Sequence, residues 1–128
     1  GAVRFADDAA QAEAEASAIF PIRVNGQECR SILVEEKTKV AQEYFVAITW
    51  DGRAKRPVCV FSDMGGIDIE EVALTHPDHV SKTHFSTIVP LMPHVAKQAV
   101  AASGVTGSDL NKLAPIVFEL MKIFLAST

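Results

Sequence analysis

The stretch Ile32–Trp50, ILVEEKTKVAQEYFVAITW, decides how the chain is read. Ile32, Leu33 and Val34 form a short apolar run of the kind a buried strand needs. Tyr44–Trp50 is a second run, richer in aromatic and β-branched residues. Between them EEKTKVAQE is polar, and Glu35 and Glu43 flank it. The pattern predicts two strands joined by a charged turn. Two readings of that turn stay open: a solvated hairpin, or polar groups held rigidly by the strands and fixed against a ligand.

Working outward, paired turn residues extend the strand pattern. Asn25-Gly26 predicts a tight turn between extended segments, and Asp51-Gly52 predicts a hairpin joining Phe45–Trp50 to Pro57–Phe61. Upstream, Gly1–Phe5 reads as a strand end, and Asp7 or Asp8 as the N-cap of an Ala-rich, surface-lying helix that runs to about Phe20 and is closed by Pro21. Downstream of Phe61 the chain loses periodicity until Pro93. His94–Ala102 then predicts a helix ending at Ser103-Gly104. Ser108-Asp109 predicts the cap of a last helix whose apolar stripe is Leu113, Ile116, Val117, Leu120, Ile123 and Phe124. Pro115 should kink that helix or mark its true start. The expected organisation is one α+β domain, an antiparallel strand meander with flanking helices: helix and meander over 1–63, an irregular excursion over 64–92, and a helical segment over 93–128.

Composition bounds the function classes. Of 128 residues 48% are hydrophobic and 22% charged, which suits an ordinary globular domain able to bury a core. The net charge is −4 and the twelve Lys and Arg residues are scattered, so no basic footprint for nucleic acid is present. The apolar runs break well short of the roughly 18 residues that a membrane span needs. Cys29 and Cys59, set in strand-like contexts, read as reduced core thiols, a disulfide between facing strands being the alternative, and with no basic start leading into an apolar core the chain is expected in the cytoplasm, or in the mitochondrial matrix of a eukaryote.

Among chemistry-bearing residues, Gly65-Gly66 lacks Cβ atoms and admits close approach of a phosphate or carboxylate, or simply forms a turn or bulge. Asp68, Glu70 and Glu71 read as one solvated strand face rather than a metal site. His76, Asp78 and His79 are zinc-like ligand types without a third and fourth partner at defined spacing, and the spacing of His84 and His94 suggests nothing, so the histidines read as loop-stabilising. Ser62 and Ser103 lack a G-x-S-x-G context, and neither common nucleotide fingerprint occurs. No catalytic residue and no metal ligand is assigned.

The order of three motifs carries more. NGQECRSILVEEKTKVAQEYFVAITWDGRAKRPVCVFSDMGGIDIEEVA contains L-V-E-x-x-x-x-x-A-x-E, then a D-x-x-x-x-x-P-V hairpin, then S-x-x-G-G-[IV]-[DE]-I-E. In this order it resembles the central part of the ATP-grasp region in the β subunit of ADP- or GDP-forming succinyl-CoA synthetases. GAVRF resembles the strand after that family's glycine-rich phosphate loop, and LNKLAPIVFELMKIFL resembles the helix before its E-I-N-P segment.

The resemblance implies a set of roles. Val34–Thr38 would run along the nucleotide base, with main-chain groups at Glu35 reading its edge and Lys37 and Thr38 beside it. Glu43 would hold the ribose hydroxyls, a fitting task because a carboxylate accepts two charge-assisted hydrogen bonds from a vicinal diol. Gly65 and Gly66 would approach the active-site groove. ATP or GTP with Mg²⁺ is the implied cofactor set, the Mg²⁺ ligands being expected outside this chain together with the phosphate-binding lysine. The implied parent joins succinate to coenzyme A through phosphoryl intermediates passed to an α subunit. A malate, citrate or acetate ligase, or a non-catalytic nucleotide-binding or scaffold module, remains the alternative. The piece alone is expected to be inactive and to self-associate through exposed strand edges.

Overall fold

The computed structural model describes residues 2–127, which form two compact units divided between Val40 and Ala41. In the first unit, helix α1 (Ala9–Ile19) begins where its local chemistry dictates. Asp8 accepts from the Gln11 amide at 2.8 Å, satisfying a donor of the first turn, and the Gln11 side chain accepts from the Asp7 amide just ahead of the cap at 2.9 Å. Only Ile19 of this helix is buried, as a surface-lying helix requires. Strands β1 (Arg23–Val24) and β2 (Gln27–Glu28) then pair antiparallel around Asn25 and Gly26, whose φ values of 51° and 78° are the two positive angles a type I′ turn demands.

Three sequence expectations in this unit differ from the structure. The expected strand end at Gly1–Phe5 is irregular over residues 2–5, Gly1 lying outside the described residues, and Val3 and Phe5 are exposed. The run Ile32–Val34 is not a strand: residues 29–44 contain neither helix nor strand, and Leu33 is 86% exposed. Apolar, β-branched character makes a strand only where a neighbouring backbone completes the ladder, and no strand pairs with this run among the described residues. Cys29, expected in the core, lies in the same irregular stretch, partly exposed, with its Sγ 3.4 Å from the Ser31 carbonyl.

The second unit is built on an antiparallel sheet, β3 (Phe45–Asp51), β4 (Arg56–Ser62) and β5 (Val80–His84), in that order. Phe45 pairs with Ser62 and Asp51 with Arg56, and Ser62 pairs in turn with Val80. The β3–β4 hairpin is closed by Asp51, whose Oδ1 accepts the amides of Arg53 at 2.9 Å and Ala54 at 3.1 Å. Between β4 and β5, Asp68 caps helix α2 (Ile69–Thr75) by accepting from the Glu70 amide. Asp68, Glu70 and Glu71 therefore start a helix, where carboxylates complement the free N–H groups, rather than lining a strand face. A short 3₁₀ turn, Pro77–His79, leads into β5, so the excursion expected to be irregular supplies the third strand.

Helices α3 (Pro93–Ala101) and α4 (Gly107–Ala126) pack on each other, α3 against β4 and β5 and α4 against β3. Cys59, Phe61, Ala96, Ala99, Val100, Val117 and Met121 form the heart of the core. Ser81 of β5 donates to the Ala99 carbonyl at 2.5 Å, a buried polar tie between sheet and helix. The N-cap of α4 is Thr106, ahead of the expected Ser108-Asp109 cap, and the helix continues through Pro115. That proline is tolerated because it and Asn111 are both exposed, so water can reach the Asn111 carbonyl that Pro115 cannot bond. The buried stripe is also rotated from the expected one: Ala114, Val117 and Met121 face inward, whereas Ile116 and Ile123 are 56% and 60% exposed.

Candidate functional site

Where β3 begins and β4 ends, the ladder stops at the Phe45–Ser62 pair and the two chains are held together by other means. Gly65 donates its N–H to the Glu43 carbonyl at 3.0 Å. The approach is close: a Cβ on Gly65 would lie 2.6 Å from the carbonyl carbon of Glu43 and 2.7 Å from the nitrogen of Tyr44. Gly66 has φ +73°, and a Cβ there would run into the Glu43 carboxylate, with Cδ at 3.2 Å. Gly65 is thus required by close contact with the backbone of Glu43 and Tyr44, and Gly66 by its positive φ, with the exposed Glu43 carboxylate lying over it.

The surroundings fix this arrangement from both sides. Gln42 donates through Nε2 to the Asp63 carbonyl at 2.6 Å and to the Glu43 carbonyl at 3.1 Å. The Asp63 carboxylate lies 2.8 Å from His79 Nδ1, and the buried Ser62 hydroxyl accepts from the Met64 amide. Tyr44 stacks on Phe61 with ring centroids 6.1 Å apart; its phenol is raised above the ordinary value by desolvation first, then by the Asp109 and Asp63 carboxylates. The cluster holds the backbone of Glu43 in place and leaves its carboxylate open to solvent, free to accept hydrogen bonds from neighbouring hydroxyls.

Of the residues singled out in the sequence, Glu43, Gly65 and Gly66 are therefore brought together. Glu35, Lys37 and Thr38 lie in the other compact unit, on its exposed irregular stretch, where the Lys37 ammonium sits 4.7 Å from the centre of the Phe5 ring. Gln42 and Asp63 were not visible as site residues, because an amide that binds two main-chain carbonyls leaves no motif. The histidines serve local pairs: His76 Nδ1 with the Thr75 hydroxyl at 2.8 Å, His79 with Asp63, and His84 Nε2 with Asp51 at 2.8 Å. No group of three His, Cys, Asp or Glu among the described residues is placed to hold a metal. A separate, mostly apolar groove of about 490 Å³ lies between α3 and α4, lined by Pro93, Lys97, Ala114, Pro115 and Phe118 among others, and shares no residue with the Glu43 cluster.

A family model described as the ATP-grasp domain matches residues 1–128. The chain belongs to the ATP-grasp family. The resemblance read from the three ordered motifs is thereby upheld, and the antiparallel sheet with flanking helices is consistent with part of an ATP-grasp fold. Curated relatives of this ATP-grasp chain include succinate–CoA ligase β subunits. It is 36% identical over 124 residues to the β subunit of the ADP-forming succinate–CoA ligase of Methanocaldococcus jannaschii, covering 97% of this chain and 34% of that protein. It is 33% identical over 124 residues to the β subunit of the GDP-forming enzyme of Thermus thermophilus, covering 97% of this chain and 32% of that protein. The ATP-grasp chain thus spans about a third of the length of the curated relatives it matches. Among its described residues no helix is long and apolar enough to cross a membrane.

Proposed function

We propose that this chain is the base and ribose side of the nucleotide pocket in an acid–thiol ligase β subunit, one that joins succinate to coenzyme A with ATP or GTP. The observation that carries the reading is the exposed Glu43 carboxylate lying over Gly66, on a backbone held at the entrance of β3, in a chain matched over 97% of its length by succinate–CoA ligase β subunits. A carboxylate so placed accepts both hydroxyls of a ribose at once, and charge-assisted bonds of this kind are stronger than neutral ones. Glu35 acts through its main chain on the base, with Lys37 and Thr38 beside it. Gly65 and Gly66 keep the approach to Glu43 free of side chains.

Phosphoryl transfer needs charge stabilisation at the phosphates. In this reading the Mg²⁺ ligands and the phosphate-binding lysine lie outside the 1–128 segment, which serves the base and ribose only. The whole 1–128 segment acts as one part of a larger ATP-grasp domain, works with an α subunit in the cytoplasm, and is inactive and self-associating when isolated. Exposed Leu33, Val34, Ile116 and Ile123 supply the apolar surface for that association.

The test is nucleotide titration of the full-length polypeptide that carries these residues. Glu43→Ala should weaken ATP binding by roughly tenfold or more, the worth of a hydrogen bond to a charged group. Glu35→Ala, which keeps its main chain, should change affinity less than threefold or so. Unaltered affinity in Glu43→Ala would remove the ribose role.

A further inference from the structure

Glu43 can serve a ligand only if its backbone is held where the β3–β4 ladder has already ended. Three polar contacts do that work, and two of them come from a single atom, the side-chain nitrogen of Gln42. Its partners, the carbonyls of Asp63 at 2.6 Å and Glu43 at 3.1 Å, are both pure acceptors, so the amide is oriented with nitrogen toward them and spends both of its hydrogens there. The Glu43 carbonyl accepts a second hydrogen from Gly65 at 3.0 Å. Asp63 is pinned again through its side chain by His79 at 2.8 Å. Gln42 is exposed, so it contributes no core packing and its amide chemistry is what it offers the fold.

We propose that Gln42 is a positioning residue for nucleotide recognition, its amide bracing the segments on either side of Glu43 so that the carboxylate stays against Gly66, where a vicinal diol is bound. This rests on the ribose reading of Glu43 and adds to it a residue with no contact of its own to the ligand. The chemistry needed at position 42 is a nitrogen carrying at least two hydrogens at the end of a flexible stem. Lysine meets that requirement. Methionine has nearly the same shape and no hydrogens to give, and glutamate reverses the polarity.

The experiment compares ATP with 2′-deoxyATP in equilibrium titrations of the full-length polypeptide, because their affinity ratio reports the ribose contact and not general stability. The unsubstituted protein should prefer ATP, and Glu43→Ala should erase that preference. Gln42→Met should weaken ATP binding by about threefold to tenfold, the loss expected for one or two hydrogen bonds. It should leave 2′-deoxyATP within about twofold and so shrink the ratio. Gln42→Glu should do the same, and Gln42→Lys should restore the ratio. If Glu43→Ala erases the preference and Gln42→Met keeps it, or if Gln42→Met weakens both nucleotides equally, the positioning role is wrong while the ribose reading stands. If Glu43→Ala keeps the preference, the ribose reading fails and the role of Gln42 fails with it.

Discussion

Replacing Gly65 by alanine is the sharpest test of the packing at the candidate site. The added Cβ would stand 2.6 Å from the Glu43 carbonyl carbon, 2.7 Å from the Tyr44 nitrogen and 2.8 Å from the Glu43 Cβ. Two of these neighbours are backbone atoms, so no side chain can rotate away to relieve the contact. Non-bonded carbons rest at about 3.5 Å or more, so the two chains must part by roughly 0.9 Å. The Gly65 to Glu43 hydrogen bond, now 3.0 Å, would stretch out of range. Overpacking of this kind costs about 1–3 kcal/mol, and the broken bond adds about 1. The sum, about 2–4 kcal/mol, should lower the urea midpoint followed by far-ultraviolet circular dichroism by roughly 1–2 M. Gly52→Ala is the control, since nothing lies within 4 Å of its Cβ position; it should stay within about 0.5 kcal/mol of the parent. A Gly65→Ala variant as stable as Gly52→Ala would refute the close approach of these segments.

Three further outcomes are expected. His84, then the amides of Ala54 and Arg53, hold the Asp51 carboxyl below its ordinary value, so its contribution to stability is present above the unfolded value of about 3.9 and is lost as pH falls through the lower folded value. The gap in urea midpoint between the parent and Asp51→Asn should therefore be larger at neutral pH than in acid below the folded value, and a gap independent of pH would contradict the pairing. Burial pushes the Cys59 thiol up to about 11, so a thiol reagent at mildly alkaline pH should modify Cys29 in the native protein and Cys59 only on unfolding. Met121→Ala should cost about 2–5 kcal/mol and Ile123→Ala no more than about 0.5, as read from thermal or urea unfolding; equal costs would mean that the inward face of α4 is misassigned.

What was legible in the sequence is what short-range chemistry controls. Asp8 caps α1 because its carboxylate reaches an amide three residues on. Asn25-Gly26 turns the chain because both residues accept positive φ, and Asp51 closes its hairpin by bonding amides two and three positions ahead. What was not legible depends on partners far along the chain. Ile32–Val34 has the composition of a strand but no neighbour to pair with, whereas Val80–His84, polar and carrying a histidine, becomes one because β4 offers it an open edge. The periodicity of α4 was visible, yet which side of it is buried depends on where α3 and β3 lie. The glycine pair signalled a close approach without naming its partner, because Glu43 lies 22 residues before Gly65 and only the β3–β4 pairing brings it there. Gln42 carried no signal, since its role consists of two carbonyls that only folding brings within reach.

The chain has a single tryptophan, and β3 holds Trp50 half in water at the hairpin end, opposite Pro57. An indole already hydrated in the native state has little solvent shift left to report when the chain unfolds, so its emission colour will be nearly blind to loss of the core. The stacked Tyr44 and Phe61 rings beside the candidate site are the chromophores that native packing makes asymmetric. The near-ultraviolet dichroic spectrum of this protein should therefore follow the surroundings of Glu43, while its fluorescence follows the tip of one hairpin.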